Sequence, residues 1–182
     1  MYAKIQKEFN FMAAVHFNGK YMVNFYEMNA VMAIISLEEE DQNTAIERIS
    51  YFIGHCLEDC IFVCDKEKDA IDKYTKAGMK VCTIPEEPYD QIVGLVILNK
   101  CNSIMEGRIT MTDIVFGSKL SNMIKFELND EVAEAQFDGT NWWNSSTMCI
   151  QNVKKTKKEK IVNLFDHKVD DWAELELTWT SK

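Results

Sequence analysis

Phe9, Phe11, Ala13, Val15 and Phe17 fall on every second position near the start of the chain, with Asn10, Met12, Ala14 and His16 between them. A two-residue period puts each set on one face of an extended segment, so residues 4–17 are predicted as a β-strand. Asn18-Gly19 follows, a pair that tolerates the positive φ of a tight hairpin turn. The second strand is "YMVNFYEM" (21–28). A two-residue loop sets Phe17 opposite Lys20, and a three-residue loop sets it opposite Tyr21 with better-aligned apolar faces. A third run, "AVMAIISL" (30–37), is read as a further short strand.

The period then changes. After the polar break "EEEDQN" (38–43), apolar residues recur at 46, 49, 53, 57 and 60, the spacing of a helix face. Thr44 and Glu47 have the spacing of a capping box at its start. "CIFVC" (60–64) is a buried strand, and "DKEKDAIDKYTKAG" a helix closed by Gly78. "MKVCTI" (79–84) is a strand, and "PEEP" breaks it. "YDQIVGLVILNKCNSIMEG" is a helix apolar on nearly all sides, so it is expected to be buried on more than one of them. "RITMTDIVF" (108–116) and "NMIKFEL" form a hairpin around "GSKLS". "NDEVAEAQF" is a short helix or link. "MCIQNV", "EKIVNLF" and "AELELTWT" are late strand candidates.

Strands and helices alternate through 44–116, as in a sheet with crossover helices, while both ends are antiparallel in character. The fold class is therefore α/β: a mixed sheet with a central βαβαβ-like segment flanked by antiparallel hairpins. The alternative is an α+β sandwich. One domain over 1–182 is expected, with 137–182 as its β-rich C-terminal extension; the length suits one core without staples.

Charge narrows the partners. The net charge of −9 and pI near 4.9 oppose passive binding to nucleic acid backbones. Six cysteines are too few for a disulfide scaffold in 182 residues, and with ten methionines they suit a reducing cytoplasm. The opening "MYAKIQKEFNFMAAVHF" lacks the basic-then-apolar layout of a secretory signal, and no apolar run approaches the ~20 residues that span a bilayer. Arg48 and Arg108 are the only arginines against 18 lysines, the codon bias of an AT-rich bacterial or viral genome.

Two constellations invite chemistry. Ligands of open parallel sheets sit beyond the carboxyl ends of the strands. Asp65 follows one predicted strand, and Glu86, Glu87 and Asp90 follow the next. Clustered carboxylates suit a hard cation such as Mg²⁺ and phosphoester chemistry, although acidic residues at helix starts equally serve the helix dipole. The other constellation is "NWWNSS" (141–146). If that stretch is extended, Trp142 faces the core with Met148 and Ile150, and Trp143 faces out as a contact residue. His55, Cys56, Cys60 and Cys64 lack the tight spacing of a zinc site and read as buried thiols. Phosphate-binding glycine loops and G-x-S-x-G elbows are absent.

The expectation is a non-enzymatic cytoplasmic binding or regulatory protein, in the manner of a phage or bacterial accessory factor. It needs no cofactor and docks on a protein through Trp142 and Trp143 or captures a small ligand. The alternative is a Mg²⁺-dependent enzyme acting on a nucleotide or phosphoester through Asp65, Glu86, Glu87 and Asp90.

Overall fold

The opening hairpin is the longest element of the sheet. Strand β1 (Lys4–Phe17) pairs antiparallel with β2 (Lys20–Ile34) along its whole length, and Phe17 lies opposite Lys20. The loop therefore has two residues, with Asn18 at φ 50 and Gly19 at φ 72, as the Asn-Gly pair favours. The expected third strand over 30–37 is instead the continuation of β2. Tyr26, Met28, Ala30 and Met32 keep one parity on the core face, and Asn29 falls on the opposite face, so nothing resets the strand.

The computed structural model describes residues 3–137 and 141–152. The chain divides into two compact units, Met1–Asn152 and Val153–Lys182. The strand candidates "EKIVNLF" and "AELELTWT" lie outside the described residues.

Helix α1 (Glu39–Tyr51) begins earlier than the Thr44 capping box predicts. Glu39, Glu40 and Asp41 fill its first turn, where the helix dipole favours negative charge, and Ser36 donates to Asp41 at 2.8 Å. It runs on into a π-helical turn, Phe52–Leu57. Ala45, Ile49, Ile53 and Leu57 are buried at intervals of four. In an α-helix each such step drifts about 40° around the axis; the wider π turn brings the row back toward the core.

Strands β3 (Cys60–Cys64) and β4 (Lys80–Ile84) are parallel to each other, and β3 is parallel to β1. Helix α2 (Lys68–Lys76) connects them. From β4 the chain crosses the sheet as α3 (Asp90–Met105) to β5 (Ile109–Ser118), which pairs antiparallel with β2 and with β6 (Lys125–Asn129). The order is β4-β3-β1-β2-β5-β6, a mixed α/β sheet. Helix α4 (Asp130–Gln136) follows, capped by the Asn129 side chain on the Val132 N–H at 3.0 Å. A register shift at Val31/Met32 lets Ile109 and Met111 share the core face with Ile114 and Phe116 despite the broken parity.

The main core lies between one face of the sheet and α1, α3 and α4. Helix α3 is buried nearly all round, as its sequence predicts. At Gly94 an added Cβ would stand 2.6 Å from the Leu128 side chain, so the helix backbone lies directly on side chains of the sheet. A smaller cluster of Ala14, Ile61, Val63, Tyr74 and Val81 packs α2 on the opposite face. There His16 bridges Tyr74, whose hydroxyl is 2.9 Å from Nδ1, and Glu67, 2.7 Å from Nε2. Among the described residues no helix is long and apolar enough to cross a membrane.

Candidate functional site

Strands β1, β3, β4 and β5 all run in one direction, so their carboxyl ends point to one edge of the sheet, with Phe17, Cys64 and Ile84 reaching furthest and Ser118 stopping opposite Tyr26. A cleft of about 400 Å³ opens at that edge on the core side. This volume falls in the range of small-molecule sites. Its floor is Val15 and Phe17 from the end of β1 and Met22 and Asn24 from the start of β2. Its walls are the start of α3, the turn after β5, and Phe126 of β6.

Each wall has a local cause. Pro85 and Pro88 end β4 and turn the chain into α3, which leaves Tyr89 half in solvent at the mouth. The Tyr89 ring meets Phe17 edge-to-face, with centroids 5.2 Å apart. Asn24 is a polar residue on the core parity of β2 and is 4% exposed. Its Oδ1 accepts from the N–H groups of Phe25, 2.9 Å away, and Leu120, 3.1 Å away, which holds the turn after β5 against the hairpin. Two residues on along that face, the Tyr26 hydroxyl is buried, and burial pushes its pKa up.

Asp90 is the charged group of the cleft, and it is 8% exposed. Ser118 Oγ donates to its Oδ1 at 2.9 Å and Ser121 Oγ to its Oδ2 at 2.6 Å. It forms no ion pair among the described residues. Asp90 thus ties the start of α3 to the end of β5 with neutral donors alone, at a point where the helix dipole also favours its charge.

The other three carboxylates proposed for a cation are engaged differently. Glu86 pairs with Lys66 at 2.9 Å. Asp65 and Glu87 lie near the Cys64 thiol, whose pKa is raised by burial first and then by those two charges. One Glu87 oxygen is buried without a partner among the described residues. Among the described residues no three His, Cys, Asp or Glu side chains are grouped to hold a metal. All six cysteines are free thiols.

The tryptophan pair requires a correction. Trp142 and Trp143 are both buried, at 2% and 3% exposure, so Trp143 is not the outward contact residue that an extended chain predicts. Residues Trp142–Asn144 form a 3₁₀ turn, and the expected strand "MCIQNV" is absent through Asn152. A 3₁₀ turn advances about 120° per residue where a strand alternates faces, so adjacent rings can turn to one side. They meet edge-to-face at 5.7 Å and pack on α3. Trp143 Nε1 donates to Phe137 O at 3.3 Å. Trp142 Nε1 donates to Thr83 O at 2.6 Å, and the Thr83 N–H donates to Ile150 O at 3.1 Å. Residues 141–152 thereby cover the open edge of β4.

Lys100 holds that cover in place. It is fully buried in α3, and its Nζ donates to the carbonyls of Trp142 at 2.7 Å and of Ser145 and Thr147 at 2.6 Å each. The ammonium also lies 5.5 Å from the Trp142 ring centroid. Burial lowers its pKa from the ordinary lysine value. The sequence reading passed over Lys100 and Asn24, yet each carried a signal: a lone lysine in an apolar helix, and a lone asparagine on the apolar parity of a strand.

No protein-family model matches this sequence, and no curated protein matches it, so the function is argued from the geometry.

Proposed function

We propose that this is a non-enzymatic cytoplasmic binding protein that captures a small ligand in the cleft at the carboxyl edge of the sheet. The observation that carries the reading is the cleft itself: about 400 Å³, mostly apolar, with a few convergent polar groups, at the end of the sheet where four co-directional strands stop. The lining favours binding over catalysis. Among the described residues it contains no histidine, cysteine or lysine, and the Ser121 hydroxyl meets the Asp90 carboxyl group, a weaker base than the imidazole that activates a serine nucleophile. Free thiols throughout suit a reducing compartment. The AT-rich codon bias fits a phage or bacterial accessory factor.

The test is a small-molecule screen followed through the methionine methyl groups by NMR. Saturable ligands should shift Met22 most strongly. Met22→Trp fills the cleft and should abolish that saturation while leaving the fold intact. Saturable binding that persists in Met22→Trp, or that shifts methionines remote from the cleft, would place capture elsewhere.

A further inference from the structure

We infer that the ligand of this cleft is a small organic cation, an ammonium group carried on a flat apolar body. The inference rests on the capture reading above and adds its charge and shape. Three observations point the same way. First, Asp90 is more than nine-tenths buried, and among the described residues its carboxyl has only the hydroxyls of Ser118 and Ser121 as partners. A buried carboxylate is costly without a counter-charge, and two neutral donors leave lone pairs on both oxygens free. Second, among the described residues no lysine or arginine lines the cleft, and the chain as a whole carries −9, so anions are disfavoured both locally and at long range. Third, three of the remaining lining residues are aromatic. Phe17 and Tyr89 stand edge-to-face at 72°, forming a corner, and Phe126 lines the same cleft. Aromatic faces beside a carboxylate attract an alkylammonium through the ring quadrupole while burying its apolar body.

The Asp90 site differs from a capping acid in where its bonds go. It accepts no helix N–H among the described residues, and its two bonds run to serines at the end of β5 and in the turn after it. Those bonds hold the carboxyl in place, so an incoming ammonium meets an acceptor that needs no reorganisation.

The experiment compares three probes of one shape on the full chain by calorimetric titration: phenethylammonium, 2-phenylethanol and phenylacetate. Phenethylammonium should bind at least tenfold more tightly than the alcohol, and phenylacetate should not saturate. In Asp90→Asn the preference for the cation should vanish while the alcohol still binds. If that variant does not fold, the wild-type charge series decides the point alone. Equal or tighter binding of the alcohol overturns the cationic inference and leaves small-ligand capture standing. Tighter binding of phenylacetate does the same and reverses the sign. If none of the three saturates in the wild type and the methionine screen also finds no ligand at Met22, both readings fall together.

Discussion

Helix α3 buries two charged side chains, and they are in opposite situations. Lys100 is fully enclosed, and its three N–H donors meet three backbone carbonyls, so its hydrogen-bonding capacity is used up. Asp90, at the helix start, has one neutral donor on each oxygen, no basic partner among the described residues, and an aromatic cleft in front of it. The saturated charge is architecture: it binds residues 142–147 to the helix and so covers the edge of β4. The unsaturated charge is the one proposed for recognition. Burial alone does not separate the two roles; the count of partners against capacity does.

The comparison breaks most severely if a third charge is placed between them. Leu95 is 3% exposed in the main core. Leu95→Asp has neither carbonyls nor a cleft to receive it, and a buried unpaired charge costs several kcal/mol, on the order of half a typical stability. The variant should be unfolded or molten by circular dichroism at room temperature. A native melt would mean that α3 is not enclosed as described.

Lys100→Met tests the saturated charge. It leaves three carbonyls without their donor, each worth about 1–3 kcal/mol when buried. A loss of at least about 3 kcal/mol is expected in urea unfolding, or roughly 6–12 °C in melting temperature at about 2–4 °C per kcal/mol. The first local consequence should be faster hydrogen exchange at the Thr83 amide, because the segment that accepts from it is released. Stability within about 1 kcal/mol of wild type would show that the carbonyls find other partners.

Asp90→Asn is the counterpart and should be mild. The amide keeps an acceptor for one serine and removes an uncompensated charge, so stability should change by about 1 kcal/mol or less. A large loss would make Asp90 a structural group like Lys100 and would weaken its role in recognition.

The smallest effect is at the surface. Glu106 bonds Arg108 and Arg48, each at 2.7 Å, and Arg48 also donates to Ser146 O at 3.1 Å. The Arg108 hydrogen bond, with Arg48 adding its charge, holds the Glu106 carboxyl below its ordinary value of 4.5. A depressed folded-state pKa adds stability above pH 4.5, and that stability is lost as the pH falls through the folded value. Glu106→Gln should therefore melt slightly lower than wild type at pH 7, with the gap closing below pH 4.5 and shrinking in salt. A gap independent of pH would assign the effect to something other than this ion pair.

Much of the scaffold was legible because period survives packing. The alternation over 4–17, the Asn-Gly turn, the buried run 60–64 and the helix from Asp90 are local patterns that solvent sorts in the same way in any compact fold. The joints were less legible. Thr44 and Glu47 match a capping box, but three preceding acids fill the first turn of α1 instead. The strands expected over 21–28 and 30–37 are one, because Asn29 keeps the alternation of a continuous β2 on the face away from the main core. The tryptophan reading failed on one local choice, 3₁₀ against extended, which alone decides whether neighbouring rings share a side.

The sequence by itself determined the alternation of elements, the mixed character of the sheet and the buried identity of α3, because these follow from side-chain polarity along a chain of fixed geometry. It also marked the carboxyl edge as the place to look. Only the tertiary structure decided which acid there is buried, which are spent on Lys66 or lie by Cys64, and that a lysine and two tryptophans are buried along the edge of β4. Those roles depend on contacts between residues far apart in sequence, Asp90 with Ser118 and Lys100 with Trp142, and a linear pattern carries no information about which distant group will satisfy a buried charge.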